Sequence, residues 1–192
     1  MIVDNFSSME EHKPKAMRTA RVISYMVKTA DDSGIELFAA SETSKSPIIC
    51  TSSSKVEKAI KKMKTVRGTC NMRKCLNHIL SRVIVPARRF RPTNIYIYTD
   101  GLWEPGDYGI KTVISWAIDF LDRHGYKSSA LVLQFIRFGN DPTGTERLDS
   151  LENQCKRQTV TDDYDIVDTK HCDDHVADII IGSISPWHGE DS

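Results

Sequence analysis

Four small oxygen-bearing side chains lie in three short polar segments, each at the boundary of a strand-like or helix-like stretch. Asp4 and Ser8 lie in DNFSSM, Thr69 lies in RGTCNM, and Asp100 lies in the TDG that follows IYIY. Two carboxylates and two hydroxyls, with no imidazole or thiolate among the four, are the ligand types that hard cations prefer, Mg²⁺ above all. These residue types therefore indicate divalent-cation binding as the first chemistry to consider.

The elements that must position these residues alternate between strand and helix. Strands are predicted at MIV, IELFAAS, SPIICTSS, TNIYIYT, SALVLQFIRFG and YDIVDT. Helices are predicted at PKAMRTARVISYMVKTA, SSKVEKAIKKMKTV, the segment after RGTC, GIKTVISWAIDFLDRHG, GTERLDSLENQC and HVADIIIGSI. This alternation predicts an α/β fold with a mostly parallel sheet covered by helices on both faces. Ligands of such sheets bind beyond the carboxyl ends of the strands, where Asp4 and Asp100 fall.

The order of these motifs resembles the von Willebrand factor type A (vWA) domain. Its metal-ion-dependent adhesion site (MIDAS) is built from Asp-x-Ser-x-Ser, a distant Thr and a later Asp. Asp4 and Ser8 match the first and last positions of the first motif. Thr69 matches the distant Thr, and Asp100 matches the later Asp.

The resemblance covers essentially the whole chain and carries expectations for fold and function. It implies a three-layer, Rossmann-like fold whose sheet has the strand order 3-2-1-4-5-6. It also implies a non-enzymatic protein–protein interaction module. In that module a bound Mg²⁺, or alternatively Mn²⁺ or Ca²⁺, accepts a carboxylate from a partner protein.

The sequence departs from the MIDAS pattern at Phe6, which stands where the family has its first Ser. A phenyl ring supplies no oxygen, whereas Mg²⁺ demands near-octahedral oxygen coordination, so we expect an incomplete, degenerate MIDAS of reduced affinity. The alternative is a metal-free loop in which Asp4, Ser8 and Asp100 hydrogen-bond one another and cap helices. The first strand is also shorter than the family's central strand, so we expect residues upstream of Met1 or a sheet frayed at that end.

The segment after Asp100, TDGLWEPGDYG, places Trp103, Glu104 and Tyr108 beside the predicted cation site. Exposed aromatic residues next to a polar site are good anchors for a protein partner, so these three residues are the predicted partner-binding residues. In the competing interpretation, Trp103 folds back on the sheet and only rigidifies the loop.

Length and cysteine usage predict one cytoplasmic domain. The 192 residues suffice for one α/β core, which we place at 1–188, followed by a short acidic tail at 189–192. Five cysteines without CxxC spacing indicate a reducing compartment rather than a disulfide framework. No apolar run is long enough to span a bilayer, so no membrane partner is predicted.

Three alternative functions remain open. Residues 55–91 contain twelve Lys or Arg and one acid, Glu57. This basic segment allows an RNA-associated vWA domain, but nucleic acid is not the favoured partner because no aromatic residues interleave its lysines. A metal-independent scaffold is the second alternative. A metal-dependent phosphohydrolase is the weakest, since phosphatases that use an aspartyl intermediate need a second Asp at the position of Phe6, and no nucleophile elbow or Gly-rich phosphate loop is present.

Overall fold

The structure, a computed structural model, describes residues 1–28, 34–85, 90–104, 108–158 and 163–184. Its strands are β1 (Ile2–Val3), β2 (Ile35–Ala39), β3 (Ile48–Cys50), β4 (Thr93–Thr99), β5 (Leu131–Arg137), β6 (Arg157–Gln158), β7 (Asp163–Tyr164) and β8 (Val167–His171). Its helices are α1 (Lys13–Val27), α2 (Ser53–Lys62), α3 (Met72–Val83), α4 (Tyr108–Arg123), α5 (Pro142–Gln154) and α6 (Val176–Ile184). Short 3₁₀ turns lie at Ser7–Met9, Ala40–Glu42 and Ser128–Ala130. The predicted tail at 189–192 and the end of the predicted domain at 188 lie outside the described residues.

Six strands form one sheet in the order β3-β2-β1-β4-β5-β8. β1 is central, and its Val3 pairs in parallel with Ala39 of β2 on one side and with Tyr98 of β4 on the other. The pairs β4–β5 and β5–β8 are also parallel, whereas β3 lies antiparallel to β2 at the edge. The predicted α/β fold class and mostly parallel sheet are confirmed. The order differs from 3-2-1-4-5-6 in its last member, which is the eighth strand along the chain.

The difference arises because β6 is an additional strand and because the predicted last strand, YDIVDT, is divided. Its first residue, Tyr164, belongs to β7, which pairs antiparallel with β6 in a separate two-stranded sheet. The Tyr164 hydroxyl donates to the carbonyl of Tyr126, just after α4, at 2.9 Å. This bond anchors β7 beside the end of α4, so the sheet strand β8 begins only at Val167.

Helices cover both faces of the sheet because successive strand residues point to opposite faces. On β4, Ile95 and Ile97 enter the core shared with α3, α4 and α5, while Tyr96 and Tyr98 enter the core shared with α1, α2 and α6. Each fully buried aliphatic side chain contributes roughly 1.5–3 kcal/mol of hydrophobic stabilisation. Within the described ranges, no helix is both long enough and apolar enough to cross a membrane.

Candidate functional site

Asp4 leaves β1 at the carboxyl edge of the sheet, and its side chain is only 2% exposed. Its backbone N–H donates to the carbonyl of Tyr98 at 2.9 Å, which continues the parallel pairing with β4 by one residue. One carboxylate oxygen accepts the N–H of Phe6 at 3.1 Å, and the other accepts the hydroxyl of Thr99 at 2.9 Å. The bond to Phe6 is an Asx turn, so the local sequence itself turns the chain away from the strand at this point.

Burial raises the pKa of Asp4 from 3.8 to about 6, and the charge of Asp100 adds to the increase. The Phe6 N–H, the Thr99 hydroxyl and the Cys70 thiol act in the opposite direction, because each donates to the carboxylate. The net shift means that ionising Asp4 is unfavourable at this position. A proton or a cation beside the carboxylate therefore stabilises the site.

Asp100 occupies the matching position after β4, the strand next to β1, and is 4% exposed. Its Oδ1 accepts the N–H of Leu102 at 2.9 Å. Its Oδ2 is buried and has no hydrogen-bond partner among the described residues. A buried carboxylate oxygen without a donor costs free energy, and such an atom is suited to binding a cation.

The loop that carries Asp100 is fixed by close contact with the start of α5. Gly101 has a φ of +78°, and a Cβ on Gly144 would lie 2.0 Å from the carbonyl oxygen of Asp100. Both positions therefore require glycine. Arg147 Nη1 donates to the carbonyls of Gly101 at 2.7 Å and of Trp103 at 3.1 Å. The first turns of α5 thus set the position of the Asp100 carboxylate.

The structure brings Asp4 and Asp100 together and leaves the two predicted hydroxyl ligands less closely tied to them. Ser8 is half-buried in the Ser7–Met9 turn, directly after the Asx turn of Asp4. Thr69 is exposed in the segment before α3. Neither hydroxyl hydrogen-bonds to another residue in the described part of the chain. Both are therefore free to rotate toward a ligand.

The donor set fits a hard cation in part. Of the four oxygens of Asp4 and Asp100, three accept hydrogen bonds from within the chain and one, Asp100 Oδ2, does not. Phe6 contributes no oxygen; it is half-buried against the core on the α3 side, and its backbone bridges to Val66. The residues present can hold a divalent cation with fewer protein ligands than a complete MIDAS supplies.

Cys70 and Thr99 contact Asp4 directly, and the sequence did not identify either as a site residue. Cys70 directly precedes the Asn71 cap of α3 and is fully buried. Burial raises the pKa of its thiol, so the thiol stays protonated and donates to Asp4. The Thr99 hydroxyl, which donates to Asp4, also accepts hydrogen bonds from the N–H of Gly101 at 3.2 Å and from Nε1 of Trp103 at 2.8 Å. Their place in the sequence could have identified them, because Cys70 directly follows the predicted ligand Thr69 and Thr99 directly precedes the predicted ligand Asp100.

The prediction of Trp103 as an exposed partner anchor is wrong, because the side chain is 4% exposed. Its indole N–H bonds to Thr99, and its ring lies 5.9 Å from that of Phe135, measured between centroids. The guanidinium of Arg147 lies 5.8 Å from the centroid of the Trp103 indole ring. Trp103 therefore folds back on the sheet and rigidifies the loop, which is the competing interpretation given above.

Glu104 and Tyr108, the other two predicted partner-binding residues, are placed differently. Glu104 is exposed, and its Oε2 accepts a hydrogen bond from Nδ2 of Asn71 at 2.6 Å. Its backbone N–H donates to the carbonyl of Cys70 at 2.9 Å, which holds it at the rim of the site. Tyr108 is the first residue of α4, and its side chain lies outside what the structure describes.

A second group of ligand-type residues lies at the end of β8. Ligand atoms of His171, Cys172 and Asp173 come within 4.8 Å of one another. The ammonium of Lys15 lies 2.5 Å from Asp173 Oδ1 and also hydrogen-bonds to the Cys172 thiol. The backbone N–H of Asp173 donates to Nδ1 of His171 at 3.2 Å. A cationic side chain thus already neutralises this group, which makes it a poorer metal site than the pair after β1 and β4.

The sequence matches no known protein-family model and no curated protein. Among solved structures, the chain is similar to the crystal structure of the manganese-loaded TRAP protein of Plasmodium vivax, with a TM-score of 0.54. The two are 15% identical, and the match covers 95% of this chain and 71% of that chain. Similarity at this level of identity bears on the fold alone. Taken with the central β1, the antiparallel edge strand β3 and helices on both faces, it shows that this chain has the Rossmann-like fold of vWA domains.

Proposed function

We propose that the chain is a non-enzymatic protein–protein interaction module of the vWA type, which binds its partner at the carboxyl edge of the sheet. The observation that carries the proposal is the pair Asp4 and Asp100. These two buried carboxylates lie at the ends of adjacent strands, and Asp100 Oδ2 has no donor in the described part of the chain. A binding module rather than a phosphohydrolase is supported by Phe6, which stands where the nucleophilic chemistry would need a second Asp.

The finer form of the proposal adds a divalent cation, Mg²⁺, Mn²⁺ or Ca²⁺. Asp4 and Asp100 hold it, and Ser8 and Thr69 turn their free hydroxyls toward it. When bound, the cation supplies a positive charge that accepts a carboxylate of the partner. The similar solved structure is described as manganese-loaded, which supports a divalent ion as a ligand of this fold. Because Phe6 removes one ligand, we expect millimolar rather than tight binding.

A metal-independent scaffold is the second candidate, and one observation favours it. Both oxygens of the Asp4 carboxylate already accept a hydrogen bond, one from Phe6 and one from Thr99, and the Cys70 thiol also favours the ionised form. With the carboxylate satisfied in this way, the same rim could bind a partner through exposed groups such as Glu104 without a cation. Tyr108 remains a proposed contact residue on the same rim.

Thermal unfolding with and without Mg²⁺ or Mn²⁺ separates the two candidates. At a cation concentration tenfold above its dissociation constant, mass action stabilises the folded state by about 1.4 kcal/mol. For a domain of this size that is a rise of about 4 °C in Tm. The change Asp100→Ala removes the oxygen that has no internal donor, so it should abolish the rise.

Two further variants make this test specific. Asp149→Ala removes an exposed carboxylate from α5 and should leave the rise unchanged, whereas Phe6→Ser restores the missing hydroxyl and should enlarge it. If the wild type and Phe6→Ser both melt at the same temperature with and without the cation, the cation proposal fails and the metal-independent scaffold stands.

A further inference from the structure

The solvent-facing side of α1 combines arginines with exposed apolar residues. Its exposed residues recur at helical spacing as Arg18, Arg21, Val22, Tyr25 and Met26, opposite the buried Ala16, Ala20 and Ile23. Val22 is 43% exposed, Tyr25 71% and Met26 41%. Three large apolar side chains together on one exposed helix face are unusual for a surface that contacts only water.

α2 lies against α1 and adds a row of lysines. Its exposed face carries Lys55, Lys58, Lys61 and Lys62, while Val56 and Ile60 are buried beneath. Arg21 Nη1 joins the two helices by pairing with Glu57 Oε2 at 2.9 Å. We call this combined surface, formed by Arg18, Arg21, Val22, Tyr25 and Met26 of α1 with Lys55, Lys58, Lys61 and Lys62 of α2, the α1–α2 face.

The positive charge of the α1–α2 face is largely uncompensated. Glu57 is the single acidic residue within the two helices, and Arg21 already pairs with it. Lys55 donates to the hydroxyl of Thr51, a neutral group. Arg18, Lys58, Lys61 and Lys62 form no side-chain ion pair or hydrogen bond with other residues of the described ranges. Cations held together without counter-charges attract an anionic partner over a distance of about one Debye length.

We propose that the α1–α2 face binds an acidic amphipathic segment of another protein, with carboxylates on the lysines and arginines and apolar side chains on Val22, Tyr25 and Met26. This surface lies on one face of the sheet, and its binding needs no cation at Asp4 and Asp100. It is therefore a second interaction surface, separate from the carboxyl edge.

The mixture of side chains favours a protein over a nucleic acid. Proteins that bind single strands stack successive bases on several aromatic residues, and this face offers one, Tyr25. Valine and methionine have no partner on a phosphate backbone, whereas flexible methionine and tyrosine side chains are common anchors for amphipathic protein segments. Charge complementarity supplies the orientation and the rate of encounter.

Fluorescence anisotropy tests the proposal with a labelled synthetic peptide of about 18 residues, five helical turns, carrying Glu on one helical face and Leu on the other. The experiment is run in EDTA, so that the outcome does not depend on the cation site. The peptide should bind more tightly than a scrambled peptide of the same composition, and its affinity should fall as salt is added. Lys61→Gln with Lys62→Gln should weaken binding about fivefold, the worth of two exposed ion pairs.

Matched controls lie on the opposite layer of the protein. Arg73→Gln with Lys74→Gln removes two adjacent exposed charges from α3 and should leave the affinity unchanged. Tyr25→Ser should weaken binding of the amphipathic peptide and leave binding of the scrambled peptide unchanged, while melting curves confirm that each variant is folded.

Equal binding of both peptides overturns the proposal. So does tighter binding of oligo(U) RNA or of anionic phosphatidylserine vesicles that is lost in the Lys61/Lys62 variant, since either result assigns the face to a different class of partner.

Discussion

The variant Asp4→Asn tests whether the buried carboxylate after β1 works against folding at neutral pH. The pKa of Asp4 rises from 3.8 to about 6 on folding, mainly because the side chain is buried. Between about pH 4 and pH 6, Asp4 therefore keeps its proton in the folded state but has lost it in the unfolded state. The contribution of Asp4 to stability is fully present below the unfolded pKa and is lost as the pH rises through the folded pKa.

The expected size of the effect follows from the shift. A change of about 2 pKa units corresponds to about 3 kcal/mol of unfolding free energy. In the wild type this amount is lost between about pH 4 and pH 7, whereas the asparagine of the variant cannot ionise and loses nothing by this route. The substitution also alters the hydrogen bonds with Phe6, Thr99 and Cys70, but that contribution does not vary with pH. The informative quantity is therefore the change with pH of the difference between variant and wild type.

Urea unfolding of both proteins at about pH 4 and about pH 7.5, in EDTA, measures this double difference. We expect Asp4→Asn to gain about 2–3 kcal/mol relative to the wild type over this interval. Asp149→Asn, an exposed position on α5, reports the effect of the same substitution without burial and should show little change. A double difference for Asp4→Asn no larger than that of Asp149→Asn would refute the argument that burial governs the ionisation of this carboxyl.

Two further predictions concern the loop that carries Asp100. Gly144→Ala should destabilise the fold by about 3 kcal/mol, measured by urea unfolding, because the new Cβ would lie 2.0 Å from the Asp100 carbonyl oxygen. The control Thr143→Ala, one residue earlier and exposed, should destabilise the fold far less, and equal losses of stability would contradict the close contact. Trp103→Phe removes the indole N–H that donates to Thr99, so it should cost about 1–2 kcal/mol by the same assay; a neutral result would show that the buried bond adds nothing.

The architecture was largely predictable from the sequence because strand and helix periodicity are local properties. The stretch from Ile95 to Tyr98 predicts a buried strand, and its alternating side chains do enter two different cores. Asp4 and Asp100 were placed at the carboxyl edge because they directly follow apolar strands. The division of YDIVDT was not predictable, since it depends on the long-range hydrogen bond of Tyr164 to Tyr126.

The details of the site were harder to predict because the positions of loop side chains depend on tertiary contacts. Nothing local to Trp103 shows that Arg147, on a helix far along the chain, will hold its carbonyl and cover its ring. Likewise, the sequence indicates only an ordinary buried cysteine at position 70, and its place beside Asp4 is visible only in the folded chain. The α1–α2 face was missed for the same reason, since α1 and α2 lie against each other only in the folded chain.

The tight backbone contact between Gly144 and Asp100 has a mechanical consequence. With no side chain between them and with Arg147 donating to the carbonyls of Gly101 and Trp103, the loop and the start of α5 form one closely joined unit. The last residue of α5, Gln154, accepts a hydrogen bond from Lys111 in the first turn of α4. A displacement of the rim at Asp100 is therefore passed to α5, and through Gln154 and Lys111 to the first turn of α4.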